Sequence, residues 1–237
     1  MNLILRTLAG SLLCLLATLP VCCWANEIGS SIDASRITLE GTGVDDFVPP
    51  GWTIEEQASG DLNKDSLPDI ALKLIEDKPV KDKDEENLEN RRRVLIILFK
   101  DNSGKFSRVA VADRLLQGTC DGGAFHMFCT APANVKIEDG ILIVNQDRGS
   151  RNVVETTFRF RYDAAEKRFV LIGLDRKNRD RLNGGISAKS TNFLTGEQII
   201  ERSRFSERKG DYVRKSTVKK RVPKETLFIE QVDHEKY

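Results

Sequence analysis

Thr156-Thr157-Phe158-Arg159-Phe160-Arg161-Tyr162 alternates aromatic and basic side chains, and Phe169-Val170-Leu171-Ile172 follows after a polar stretch over 163–168. Successive side chains of a strand point to opposite faces, so Phe158, Phe160 and Tyr162 share one face while Arg159 and Arg161 share the other. Two such runs joined by a short polar stretch predict a β-hairpin with one buried and one wet face.

The same grammar extends outward. Val94-Leu95-Ile96-Ile97-Leu98-Phe99 is a short β-forming run, Lys100 to Lys105 is a turn, and Phe106 to Val111 resumes the pattern. Asp139-Gly140 marks a tight turn before Ile141-Leu142-Ile143-Val144. Downstream, Ser187–Leu194, Gln198–Phe205 and Tyr212–Val222 read as a meander broken at Thr195-Gly196 and Lys209-Gly210-Asp211. Residues 77–93 are charged and poor in apolar side chains, as in a solvated loop or short helix. The expectation is a mainly β protein with few short helices, its antiparallel sheets built from hairpins and meanders. A sandwich and a propeller-blade arrangement both satisfy that pattern. No repeat of propeller length is visible.

The chain opens on a weakly basic start, with Arg6 followed by an almost wholly apolar run over 7–21 and then Cys23-Trp24-Ala25. Small residues at the −3 and −1 positions of a cut before Asn26 predict a secretory signal over 1–25. An uncleaved anchor, or lipidation at Cys22 or Cys23, are the alternatives. Residues 26–237 are then expected to form one β-rich domain, periplasmic or secreted, with no membrane span once the signal is removed. In that oxidising setting Cys120 and Cys129 are expected to pair, rather than to form a metal or redox site.

The formal net charge is +1, which argues against a general polyanion binder. The distribution is uneven. Residues 55–90 hold 12 acidic and 5 basic side chains, whereas residues 176–224 hold 15 basic and 5 acidic. Arg176, Lys177, Arg179, Arg181, Lys219, Lys220 and Arg221 are therefore candidate contacts for an anionic partner such as a glycan, lipid head groups or an acidic protein. A solvated sheet face is the plainer reading. Few aromatic residues are interleaved with the basic ones, and no nucleic-acid role is expected.

Asp61-Leu62-Asn63-Lys64-Asp65-Ser66-Leu67-Pro68-Asp69 places side-chain oxygens at the first, third, fifth and ninth positions. Calcium takes six to eight oxygen ligands, and alternate side chains of a coiled loop can converge on one ion. An EF-hand is excluded, because Ser66 and Leu72 stand where Gly and Glu are needed. An Asx-turn loop without metal is the competing reading. The stretch resembles the calcium loop of FG-GAP (integrin α-type, VCBS-like) repeats, and Phe47-Val48-Pro49-Pro50-Gly51-Trp52 resembles the lead-in of small exported bacterial proteins carrying one such unit. The resemblance covers about 30 residues well and extends faintly over Gly118–Ile172. It implies that Asp61, Asn63, Asp65 and Asp69 are side-chain ligands of calcium and that Leu67 gives a carbonyl. Ser66 departs from the Gly of that pattern.

No GxSxG, HExxH, P-loop or GxGxxG motif occurs. His126 lies between aromatic residues in the stretch spanned by Cys120 and Cys129, where a packed or surface role outweighs acid–base work, and His234 is expected to be solvated. Together these readings predict an exported, non-enzymatic calcium-binding β-module that presents a sheet face to a protein or glycan. A periplasmic inhibitor or immunity protein, and a cell-wall or glycan hydrolase, are the alternatives.

Overall fold

The computed structural model describes residues 32–81 and 89–237. The expected signal segment over 1–25, and the middle of the charged stretch over 77–93, lie outside them. The strands are β1 (Glu40–Gly41), β2 (Trp52–Gly60), β3 (Asp69–Glu76), β4 (Val80–Lys81), β5 (Glu89–Asn90), β6 (Arg93–Lys100) and β7 (Phe106–Ala112), then β8 (Ala133–Glu138), β9 (Ile141–Gly149), β10 (Asn152–Asp163), β11 (Arg168–Asp180), β12 (Gly185–Asn192), β13 (Glu197–Ser206) and β14 (Asp211–Arg221). Among the described residues every strand pairing is antiparallel and the helices are short 3-10 turns.

A five-stranded sheet has the order β1-β7-β6-β3-β2, and a seven-stranded sheet runs in sequence order from β8 to β14. The small β4–β5 pair lies within the charged excursion between β3 and β6. The two large sheets share one core. Ala71, Leu95, Ile97, Ala110 and Ala112 from the first meet Val135, Leu142, Val144, Phe158, Phe160, Phe169 and Leu171 from the second. Of the two arrangements open at the sequence level, the molecule adopts the sandwich.

The five-stranded sheet is buried on both faces. Its other face carries Leu72, Leu74, Val94, Ile96 and Leu98, covered by Ile32, Ile37 and Phe47 from the N-terminal segment. This explains the unbroken apolar run in β6, since a strand covered on both sides has no reason to alternate. The seven-stranded sheet has one apolar face, and β10 alternates accordingly: Phe158 and Phe160 are fully buried, whereas Arg161 is exposed.

One end of the sandwich is closed by charge. Lys73 and Arg93 are buried, and Glu55 lies between them: its carboxylate accepts from Arg93 Nε at 2.7 Å and Nη2 at 2.9 Å and sits 3.7 Å from Lys73 Nζ. Lys73 also pairs with Glu56 at 2.6 Å and donates to the Ala133 carbonyl at 2.7 Å. Burial opposes the charge on Glu55, but the Arg93 hydrogen bond and the charges of Arg93, Lys73 and Arg91 together outweigh it and hold the carboxyl below its ordinary range.

The apolar cover thins toward β14. In β12 only Thr191 is buried, in β13 only Gln198, and in β14 no side chain. After β14 the chain returns to the core. Leu171 N–H donates to the Leu227 carbonyl at 2.8 Å, Phe228 bridges to Val170, and Ile229 and Val232 are buried.

Candidate functional site

The acidic loop joins β2 to β3. Leu62 plugs into the shared core, so the loop curls around a fixed point. Asp61 Oδ1 accepts from the Lys64 N–H at 2.6 Å and the Asp65 N–H at 3.1 Å, and its Oδ2 accepts from the Ser66 N–H at 2.9 Å. Asn63 Oδ1 accepts from the Asp65 N–H at 3.0 Å, and Asn63 Nδ2 donates to Asp65 Oδ2 at 2.8 Å. The Leu67 N–H donates to Asp65 Oδ1 at 2.8 Å. Lys64 and Ser66 take left-handed backbone angles, with φ of 67° and 70°.

Asp69 has a separate role. It is fully buried, and its carboxylate accepts from the Leu62 N–H at 2.9 Å, the Asn63 N–H at 3.3 Å and the Lys100 N–H at 3.1 Å. It thus ties the loop to the end of β6. Burial pushes the Asp69 carboxyl above its ordinary range, the three N–H donors only partly offset this, and the nearby Asp65 adds to the rise. Among the described residues no group of three or more acidic, His or Cys side chains converges on a common centre. The donor types suit a hard cation. An ionised carboxylate offers about four lone-pair sites, so Asp61 and Asp65 keep acceptor capacity beyond the bonds they make here.

The seven basic residues singled out in the sequence fall in different places. Arg176 on β11 opposes Lys189 on β12, and Lys220 on β14 lies on the same face two strands away. Lys189 is pulled below its ordinary pKa by burial, then by the charges of Arg176 and Lys220. Arg176 Nε is buried with no hydrogen-bond partner among the described residues. Lys177 and Lys219 point to the opposite face, where Lys219 approaches Glu197 at 3.8 Å. Arg221 donates to the Thr195 carbonyl at 2.8 Å at one end of the sheet. Arg179 and Arg181 stand at the other end. Lys189 escaped the sequence reading because nothing in Ser187–Leu194 distinguishes it from a solvated lysine; only the register places it beside Arg176.

Cys120 and Cys129 form a disulfide. Within the loop it closes, His126 Nε2 lies 2.6 Å from Asp147 Oδ1, and the His126 ring packs on Phe125. His234 departs from the solvated position expected of it. Its Nδ1 sits 3.0 Å from the Arg114 carbonyl and its Nε2 3.4 Å from Asp121 Oδ2. Arg114 is ion-paired with buried Asp233, and a cleft of about 210 Å³ opens beside them, lined also by Asn90 and Arg93. A second cavity of about 450 Å³ lies on the seven-stranded sheet, lined by Glu155, Asp175, Lys177, Ser190 and Glu201 among others. Comparison of the chain with protein-family models, with curated proteins and with solved structures finds no match.

Proposed function

We propose that the chain is an exported, non-enzymatic β-sandwich that presents the basic far end of its seven-stranded sheet to an anionic protein or glycan, with calcium holding the acidic loop. The observation that carries the reading is the state of β12–β14. They extend the sheet with almost no buried side chain, and on them and β11 Arg176, Lys189 and Lys220 gather on one face without an ion pair among the described residues. A sheet extension that builds no core and concentrates like charge costs stability, and a partner supplying negative charge offsets that cost. Replacing Lys189 and Lys220 together by Gln removes the repulsion and the proposed contact at once. The variant is expected to fold at least as stably as wild type and to elute from a sulfated-polysaccharide column at clearly lower salt. Equal elution, together with loss of no partner from a pull-down of exported proteins, would overturn the proposal.

The rival that keeps a specific observation is a glycan hydrolase. Glu155, Asp175 and Glu201 line the larger cavity, and paired carboxylates are the machinery of glycoside cleavage. Asp175 is already engaged by Arg159 at 2.6 Å and by the Ser190 hydroxyl at 2.6 Å, which favours a structural role for it.

A further inference from the structure

Three turns and the disulfide loop meet at one rim of the seven-stranded sheet. The rim comprises the β9–β10 turn at 149–152, the β11–β12 turn at 181–184, the β13–β14 turn at 207–210 and the loop closed by Cys120–Cys129. Contacts bind them together. The Gly149 N–H donates to the Gly122 carbonyl at 2.9 Å, the Arg181 N–H donates to the Arg151 carbonyl at 3.0 Å, and the Arg181 guanidinium lies 5.1 Å from the Phe125 ring centre. Gly184 abuts Phe205: a Cβ built on it would stand 3.3 Å from the Phe205 Cβ.

This rim holds most of the large apolar side chains that the described residues leave in solvent. Phe128 is 87 % exposed, Leu182 75 % and Met127 65 %, and Phe205 and Tyr212, ring against ring at 5.5 Å, are each more than two-fifths exposed. Phe128 and Cys129 both have positive φ, 65° and 56°, a conformation that L-residues with bulky side chains avoid. The disulfide and the seat of the loop on the β9–β10 turn hold Phe128 outward despite that strain. Exposed cations lie on the same rim, with Glu207 and Asp211 also exposed at the β13–β14 turn. Arg179, Arg204, Arg208 and Lys209 make no ion pair among the described residues.

We propose that this rim docks on an anionic phospholipid surface, with Met127, Phe128 and Leu182 entering the interface and the rim's arginines meeting head-group phosphates. The shape selects lipid over a protein target. The most exposed apolar groups sit on separate turns, Met127 and Phe128 on the disulfide loop and Leu182 on the β11–β12 turn, and the cavity of about 420 Å³ beside them is lined mainly by polar side chains such as Asn152, Asn178, Asp180 and Arg202. A fluid surface accepts separate tips where a folded partner needs a continuous complementary face. The charge selects the class of lipid: basic groups next to an inserted apolar group add attraction to an anionic surface, and that attraction is lost with salt. The inference concerns a rim distinct from the Lys189–Lys220 face and stands whether or not that face has a partner.

The test is flotation of the chain, purified from the exported fraction, with phosphatidylglycerol-containing vesicles and with pure phosphatidylcholine vesicles. Wild type is compared with a Phe128→Ser, Leu182→Ser variant that has the same N-terminus, so any contribution of that end cancels. Both positions are exposed, so the variant is expected to keep the melting temperature. The expected result is binding to the anionic vesicles, weakened about tenfold or more in the variant and by raised salt. No binding of wild type to anionic vesicles, or binding that the folded variant retains in full, would overturn the proposal. Capture of a protein by wild type that the variant loses, without vesicle binding, would assign the rim to a protein partner instead.

Discussion

Ser66 is a single residue at which loop chemistry and backbone strain meet. Its φ of 70° lies in the left-handed region, where an L-residue is disfavoured by about 1–2 kcal/mol and glycine is at ease. Its side chain is exposed and only its N–H is engaged, by Asp61. Ser66→Gly is therefore expected to raise stability by about 1 kcal/mol, seen as a higher urea midpoint at unchanged slope. The same residue tests the calcium proposal. If the loop holds the ion, calcium raises the melting temperature of wild type and of Ser66→Gly, and the rise vanishes in Asp61→Ala, Asp65→Ala, because an ion bound only by the folded chain stabilises it. Identical melting with calcium and with chelator in all three proteins would sink the proposal. The spacing of oxygen-bearing residues in this loop was legible in the sequence. The division of labour was not: Asp69 belongs to the core and anchors the loop to Lys100, a contact 31 residues away that spacing cannot reveal.

At the scale of elements, the return of the C-terminal segment decides how the sandwich is closed. His234 Nδ1 faces a carbonyl and must donate to it, while Nε2 faces the Asp121 carboxylate, so the site suits a doubly protonated ring. Burial opposes the charge on His234, but Asp121 and the Arg114 carbonyl outweigh it and raise its pKa above the ordinary value. Burial also opposes ionisation of Asp121, yet His234, the Gly118 N–H and Asn90 hold its pKa down. The raised histidine contributes stability below the unfolded His value and loses it as pH rises through the folded one. The depressed aspartate contributes above the unfolded carboxylate value and loses it as pH falls through the folded one. The docking is thus strongest between roughly pH 4 and 6.5. The melting-temperature gap between wild type and His234→Gln is expected to be largest near pH 5.5 and to shrink as pH rises through the raised histidine value; a gap independent of pH would refute the pairing. The hairpins themselves were readable, because period-two alternation in β10 and turn residues between strands are local signals. His234 was not, since a charged stretch without periodicity gives no sign of where it docks.

Across the whole molecule, burial is graded. It is most complete in β3 and β6, alternates along β10 and fades through β12 to β14. Regions with few buried apolar contacts open at lower free energy than the global transition. Amide exchange is expected to be fastest in β13 and β14, slower in β9 and β10, and slowest in β3 and β6; uniform protection across the seven-stranded sheet would contradict this reading. The sequence showed strands at both Val94–Phe99 and Thr156–Tyr162, but the difference in cover and the sandwich itself emerge only from the packed layers. The unbroken apolar run of the first and the clean alternation of the second fit double and single cover, but which layer supplies the cover is a long-range fact.

The last strand of the meander also leaves a free edge. Among the described residues β14 has β13 on one side and no strand on the other, so alternate residues of this eleven-residue strand turn backbone donors and acceptors away from the sheet. Such an edge invites a second chain to add itself, and native proteins guard against this with charge. Arg214, Lys215, Lys219, Lys220 and Arg221 supply that guard, since two copies of β14 laid side by side would repel. Acetylation or neutralisation of those lysines would therefore remove a barrier to aggregation.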